Sequence, residues 1–353
     1  MNRIASCAAL LLAASTLFAQ QEPGNLKILT GLSKLQLQRE MNVMRAGLGV
    51  SCDYCHVAPS KTNGDKWDFA SDANPKKEVA RKMLTMMADL NTNSFKGQPA
   101  LTCYTCHNGH TQPAPFVPLP QPQPKFPTVV EDRSAYPAAK DLIAKYVAAI
   151  GGEKALPLLS PKSRSSKGTR IDTKGTSTTF DLVEADGRAY IKVKAPETTF
   201  EQSFGPDSGW TRDKDGIHEM RAGELEGIRD IYPAFEPFDP ATLNEKARTI
   251  RKEKIGDREV WVVYDRLDPN TAVDIFFDAS TGFALRRLVL TNSFVGRVPK
   301  QTDFDDYRDA GGIKLPFEVR FSSVDPWIGS TRKYGEIHPG AAVDGAVFAK
   351  PAS

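Results

Sequence analysis

The chain has 353 residues with 40% hydrophobic and 25% charged content, enough to bury cores for about two domains and too apolar for disorder throughout. Its formal net charge of +3 is too small to argue for a nucleic-acid partner.

In chain order, residues 1–19 read as a cleaved export signal. Arg3 supplies a positive start, Ile4 to Phe18 is apolar, and Ala19 precedes Gln20-Gln21-Glu22. The apolar run falls short of the roughly 20 residues needed to cross a bilayer, which favours cleavage over anchoring. Cys7 does not follow the apolar run as a lipidated cysteine would, so four cysteines remain for the exported chain.

Residues 25–112 repeat one plan, an amphipathic helix bearing methionines followed by C-x-x-C-H. The first helix is expected from Leu32 to about Ala46, with Leu35, Met41, Met44 and Leu48 near one stripe and Gly47 and Gly49 as stop signals. Cys52-Asp53-Tyr54-Cys55-His56 follows. The second helix opens with Asn74 as N-cap and Pro75 at the first helical position. Its apolar stripe is Val79, Met83, Met86 or Met87, and Leu90, and Cys103-Tyr104-Thr105-Cys106-His107 follows it.

Two C-x-x-C-H motifs are the attachment signature of two c-type haems. The thiols of Cys52 and Cys55, and of Cys103 and Cys106, add across the vinyl groups, and His56 and His107 bind iron as proximal ligands. Zinc ribbons space their C-x-x-C knuckles about 15–20 residues apart. Here 47 residues lie between Cys55 and Cys103, and neither zinc nor a redox disulfide requires His after both pairs. Beside a haem, a thioether is a soft sixth ligand that raises the potential. Spacing leaves Met41 against Met44, and Met83 against Met86 or Met87. His110 is the other histidine near a motif and reads as solvated.

Residues 113–134 form a proline-rich linker. Seven of the fifteen residues from Pro113 to Pro127 are proline, which favours a polyproline II spacer reaching as much as roughly 45 Å.

Residues 135–353 open with a helix, Ala138 to about Ile150, stopped by Gly151-Gly152, and then change to short strands. These are Thr179–Val183, Ala189–Val193, Val260–Tyr264, Val273–Phe277, Leu285–Leu290 and Phe317–Phe321, punctuated by Asp186-Gly187, Thr281-Gly282 and Gly311-Gly312 turns. The fold expected is two domains: a mainly α dihaem c-type cytochrome, then a mainly antiparallel β, half-barrel-like domain with one helix. His218 and His338 stand alone, and Asp303, Asp305 and Asp306 read as a salt-bridged strand, with Asp306 on the face opposite the other two.

The haem segments resemble the cytochrome c subunit of photosynthetic reaction centres, over roughly residues 30–110. The matching stretches are Leu48–His56, Phe69-Ala70-Ser71-Asp72, Ala80–Met86 and Leu101–His107. In that family each haem lies against a helix supplying a sixth ligand, usually Met. The resemblance implies Met41 and Met83 in that role, with Met44 and Met86 as fallbacks. Four haem motifs are usual there and two occur here, so the likeness implies a haem pair rather than docking to a photosynthetic complex. The C-terminal sheet resembles lipoprotein-sorting half-barrels.

The expected function is a periplasmic electron carrier, not an enzyme, with two covalently bound haem c groups and redox proteins or a membrane electron-transfer complex as partners. The rivals are a dihaem peroxidase-type enzyme, and a sheet that binds a lipid or protein ligand with the cytochrome as its electron inlet.

Overall fold

The computed structural model describes residues 24–60, 66–117, 119–122, 132–160, 162–195 and 199–352. The expected signal at 1–19, and much of the proline-rich stretch, lie outside the described residues. No helix of the described residues is long and apolar enough to cross a membrane.

Helix α1 spans Lys34–Leu48. A capping box starts it: Ser33 Oγ accepts from Gln36 N at 3.2 Å, and Gln36 Oε1 accepts from Ser33 N at 2.8 Å. The stop lies at Gly49 (φ 66°), where a Cβ would stand 2.0 Å from the Gly109 carbonyl oxygen. Gly47, expected as a stop, lies inside the helix instead. Its missing side chain admits Cys103, whose Cβ would be 2.8 Å from a Cβ at Gly47. The second motif is thereby pressed against the end of α1, and Gly109 N donates to Gly47 O at 2.9 Å.

Helix α2 spans Lys76–Asn93, one residue later than Pro75 as first position implies. Asn74 still caps it, accepting from Lys76 N at 3.0 Å while its amide donates to Tyr54 O at 3.1 Å. The first motif and the second helix are tied by one side chain. Val79, Met83, Met86 and Leu90 do not face the protein core; Leu84, Met87 and Asn91 do. Helix α3, Cys103–His107, carries the second motif.

The larger unit has two helices where one was expected: α4, Ala139–Ile150, and α5, Ala222–Ile231. Gly223 and Gly227 weaken the helical signal of α5, but Leu225 is buried against the sheet and tertiary packing prevails. All thirteen strands among the described residues form one antiparallel sheet. From β1 (Ser163–Asp172) to β6 (Gly216–Glu219) they meander outward; from β7 (Arg248–Ile255) to β13 (Ser330–Pro339) they return, and β13 pairs with β1. The two edges, β6 and β7, are therefore consecutive in sequence, and α5 with the residues after it connects them.

That connection and α4 fill one face. Leu142, Tyr146 and Ile150, at i, i+4 and i+8, pack with Phe235, Phe238, Phe277, Phe304 and Phe321. Tyr146 Oη donates to Phe238 O at 2.7 Å. A charged cluster lies beside this core: Arg164 donates to Glu184 Oε1 at 2.9 Å and to Glu236 Oε2 at 2.5 Å, and Tyr232 Oη donates to Glu184. Burial pushes the Glu236 carboxyl up, whereas the Arg164 charge outweighs burial at Glu184 and holds it low.

Asp303 pairs with Arg286 and Arg320, and Asp305 with Arg258, as a salt-bridged strand requires. Asp306 departs from strict alternation. Its φ of 55° breaks the period, so it stays exposed and Tyr307 packs against the core with Phe304.

The two units are not held apart by a spacer; they pack directly. Val295 and Val298 of the sheet share a buried cluster with Leu29, Val43, Leu84 and Met87. Arg39 pairs with Asp230 at 2.8 Å. Truncating Arg164→Ala would leave two carboxylates buried without their cation, and is expected to lower stability by about 3–5 kcal/mol. Urea unfolding followed by tryptophan fluorescence measures it, and a loss below about 1 kcal/mol would contradict a buried ion pair there.

Candidate functional site

Each C-x-x-C-H faces a methionine-bearing helix across a cleft. In the first motif a single 3₁₀ turn, Cys52–Tyr54, brings His56 N back to Cys52 O at 3.0 Å. In the second, Thr102 Oγ1 accepts from Thr105 N at 3.3 Å and Thr105 Oγ1 from Thr102 N at 3.0 Å, a reciprocal cap that starts α3 at Cys103. Helical spacing of i, i+3 and i+4 then places both thiols and the imidazole on adjoining faces of one turn.

The first cleft is lined by Met41, Met44, Arg45 and Leu48 of α1, by Cys52, Cys55 and His56 opposite, and by Leu29, Phe69 and Leu84. It encloses about 960 Å³, open solvent at its mouth included. The second is lined by Val79, Met83, Met86 and Leu90 of α2, with Cys103, Cys106 and His107 opposite, and encloses about 1120 Å³ on the same basis. Met44, Leu48, Cys55, Ala80 and Leu84 line both, so the partition between the clefts is one layer of side chains.

The methionines sort by cleft. Met41 lines the first cleft alone, whereas Met44 belongs to the partition. Met83 and Met86 line the second cleft and are 42% and 47% exposed, while Met87, 6% exposed, lies at the cleft's inner wall and packs into the buried cluster.

The ring of His107 is anchored through one nitrogen, its Nδ1 meeting the His110 carbonyl at 3.0 Å. Burial and the nearby Lys77 charge hold His56 below the usual imidazole range, in the uncharged form that binds metal. The His56 Nδ1 atom is buried without a hydrogen-bond partner. The His110 ring is exposed, in keeping with a solvated side chain.

All four thiols are free, and burial pushes Cys55 and Cys103 up from the ordinary thiol range. Among the described residues no three His, Cys, Asp or Glu side chains converge as a metal-ion site. Donors, apolar clefts and paired thiols all fit haem c. The Arg45 Nε atom is also buried without a partner at the first cleft, and its guanidinium lies 5.5 Å over the Trp327 ring of the sheet.

Spacing alone did not reveal the clamp on the loop between the first motif and α2. Lys77 Nζ donates to the carbonyls of Phe69, Ala70 and Ser71, each at 2.9 Å. Asp72 accepts from Arg81 at 2.8 Å and Lys27 at 2.9 Å, and those bonds hold its carboxyl well below the usual range. Its signal lay in the Phe69–Asp72 and Ala80–Met86 stretches singled out above.

Fold and site together define a small helical unit that carries two C-x-x-C-H clefts and is joined to a large antiparallel sheet. Residues 6–141 match the model of the photosynthetic reaction centre cytochrome C subunit family. Cytochrome c-554 of Chloroflexus aurantiacus is 36% identical over 97 residues, 25% of this chain and 22% of that protein. The photosynthetic reaction center cytochrome c subunit of Rubrivivax gelatinosus is 32% identical over 109 residues, 29% of this chain and 27% of that one. The chain thus spans about a quarter of the length of these relatives. Among solved structures, a DUF1329 family protein from Desulfovibrio piger aligns over 59% of this chain and 97% of its own, with TM-score 0.39 and 11% identity. A LolA superfamily protein from Nitrosomonas europaea aligns over 61% and 99%, with TM-score 0.38 and 11% identity.

Because Asp72 is depressed in the folded protein, its contribution is complete above an unfolded value of about 3.9 and fades as pH falls below it. Asp72→Asn is expected to lower the melting temperature at pH 7, with the deficit shrinking progressively towards pH 2. A deficit constant across that range would rule out the carboxylate's charge as its source.

Proposed function

We propose that this protein is a periplasmic dihaem c-type cytochrome whose work is electron transfer. The observation that carries the reading is the pair of adjoining clefts, each with C-x-x-C-H on one wall and a cleft-facing methionine on the other. Cys52, Cys55 and His56 would hold one haem with Met41 as the facing ligand; Cys103, Cys106 and His107 would hold the other with Met83. Bound there, the groups would supply one-electron Fe(II)/Fe(III) chemistry. The chain's own residues set the terms. The His107 ring is anchored through Nδ1, the apolar walls limit water, and the unpartnered Arg45 Nε suits a carboxylate on the first haem's edge.

Met41 and Met83, were they to bind iron opposite His56 and His107, would favour a carrier over a peroxidase-type enzyme by leaving no open position for peroxide. A one-layer partition favours exchange between the two sites. The partners inferred are redox proteins or a membrane electron-transfer complex, by analogy with the reaction-centre relatives. A lipid ligand for the sheet is disfavoured, since Tyr146, Phe235, Phe238 and Phe277 already occupy its covered face.

Haem-loaded protein is expected to show two covalent haems per chain and a methionine-to-iron charge-transfer band when oxidised. Met41→Ala and Met83→Ala should each remove roughly half of that band and lower one midpoint potential. Redox-titrated optical spectroscopy reads both, and a high-spin iron in the parent protein would refute the carrier reading.

A further inference from the structure

The hairpin between β10 (Ala284–Ser293) and β11 (Gly296–Asp309) touches all three helices that build the clefts. Glu40, adjacent to Met41 on α1 and 4% exposed, accepts from Ser293 Oγ and Val295 N, both at 3.1 Å. On the other side of Met41, Asn42 Nδ2 donates to Asp325 Oδ2 at 2.9 Å. Val295 and Val298 pack with Val43 of α1 and with Leu84 and Met87 of α2. At the hairpin tip Gly296 (φ 116°) lies so close to Thr102, the cap of α3, that a Cβ would stand 2.2 Å from Thr102 Cγ2.

Successive helical residues are turned by about 100°. Bonds at Glu40 and Asn42 therefore grip α1 on both sides of Met41 and fix the helix's roll, with Met41 lining the first cleft. A sulfur–iron bond needs that roll held within narrow limits, and α1 by itself has only its short local contacts to hold it. Glu40 and Asn42 are the buried polar side chains of α1, 4% and 6% exposed. Their retention is explained if orientation, not burial, is what they supply.

We propose that the β10–β11 hairpin and Asp325 form a positioning device for the first haem, and that one role of the sheet is to hold Met41 in ligating orientation through Glu40 and Asn42. The proposal rests on the His/Met reading above. Glu40, Asn42, Ser293 and Asp325 are positioning residues, acting through Met41.

The test uses haem-loaded, full-length protein with Glu40→Ala, Glu40→Gln and Asp325→Ala. Glu40→Ala is expected to lose roughly half of the methionine-to-iron band and to lower one midpoint potential, with both haems still attached. Glu40→Gln keeps an acceptor for Val295 N and should restore both signals. Asp325→Ala, which removes the other anchor, should act in the same direction and serves if Glu40→Ala fails to accumulate. Full band intensity and unchanged potentials in Glu40→Ala or Asp325→Ala would overturn the proposal, as would equal loss at both haems or no rescue by Glu40→Gln. A parent protein without the band would overturn the ligation reading itself, a result distinct from loss in the variants alone.

Discussion

Everything in the N-terminal unit depends on how closely the end of α1 can approach the second haem motif. At Gly47 the helix surface lies where a side chain would meet Cys103, and at Gly49 the chain turns in the left-handed region against the Gly109 carbonyl. Only glycine satisfies both the close approach and the turn. That contact brings two otherwise separate C-x-x-C-H segments to either side of one thin partition. With a bulkier residue at Gly47, α3 would move outward and the two clefts would part.

Helix α1 also has a second surface, and this ties the cytochrome unit to the sheet. Its polar side chains are not solvated as amphipathic periodicity implies; Arg39, Glu40 and Asn42 engage helix α5, the β10–β11 hairpin and Asp325 of the larger unit. The larger domain is consequently part of the setting of the C-x-x-C-H clefts rather than a distant cargo. Its own covered face is closed by aromatic packing and by the Arg164–Glu184–Glu236 cluster, which turns a half-barrel-like sheet into a filled scaffold.

Elements with a covalent or periodic reason to exist were legible in the sequence. The motifs are named by their spacing, α4 by Leu142, Tyr146 and Ile150, and strands such as Val273–Phe277 by dense apolar content. Strands that broke the expected code escaped. β1 alternates buried and less buried positions at its start, but the buried ones are the polar Arg164 and Ser166, so no apolar alternation betrays it. The phase break at Asp306 and the glycine-bearing α5 escaped for related reasons: backbone geometry and packing overrode local preference.

At the site, the sequence by itself determined the donor set. Two Cys-Cys-His triplets and a short choice of methionines follow from residue type and spacing, because covalent attachment chemistry is local. Which methionine faces which cleft was decided only in three dimensions. Met87 differs from Met86 by one residue and therefore by about 100° of helix rotation, and the packing of Leu84 and Met87 on Val295 and Val298 selects which face of α2 stays open. The same holds for the proline-rich stretch, whose composition allowed distance while buried contacts along α1 imposed proximity. Spacing names the candidate side chains; the roll of each helix, fixed by distant parts of the chain, decides which cleft they face.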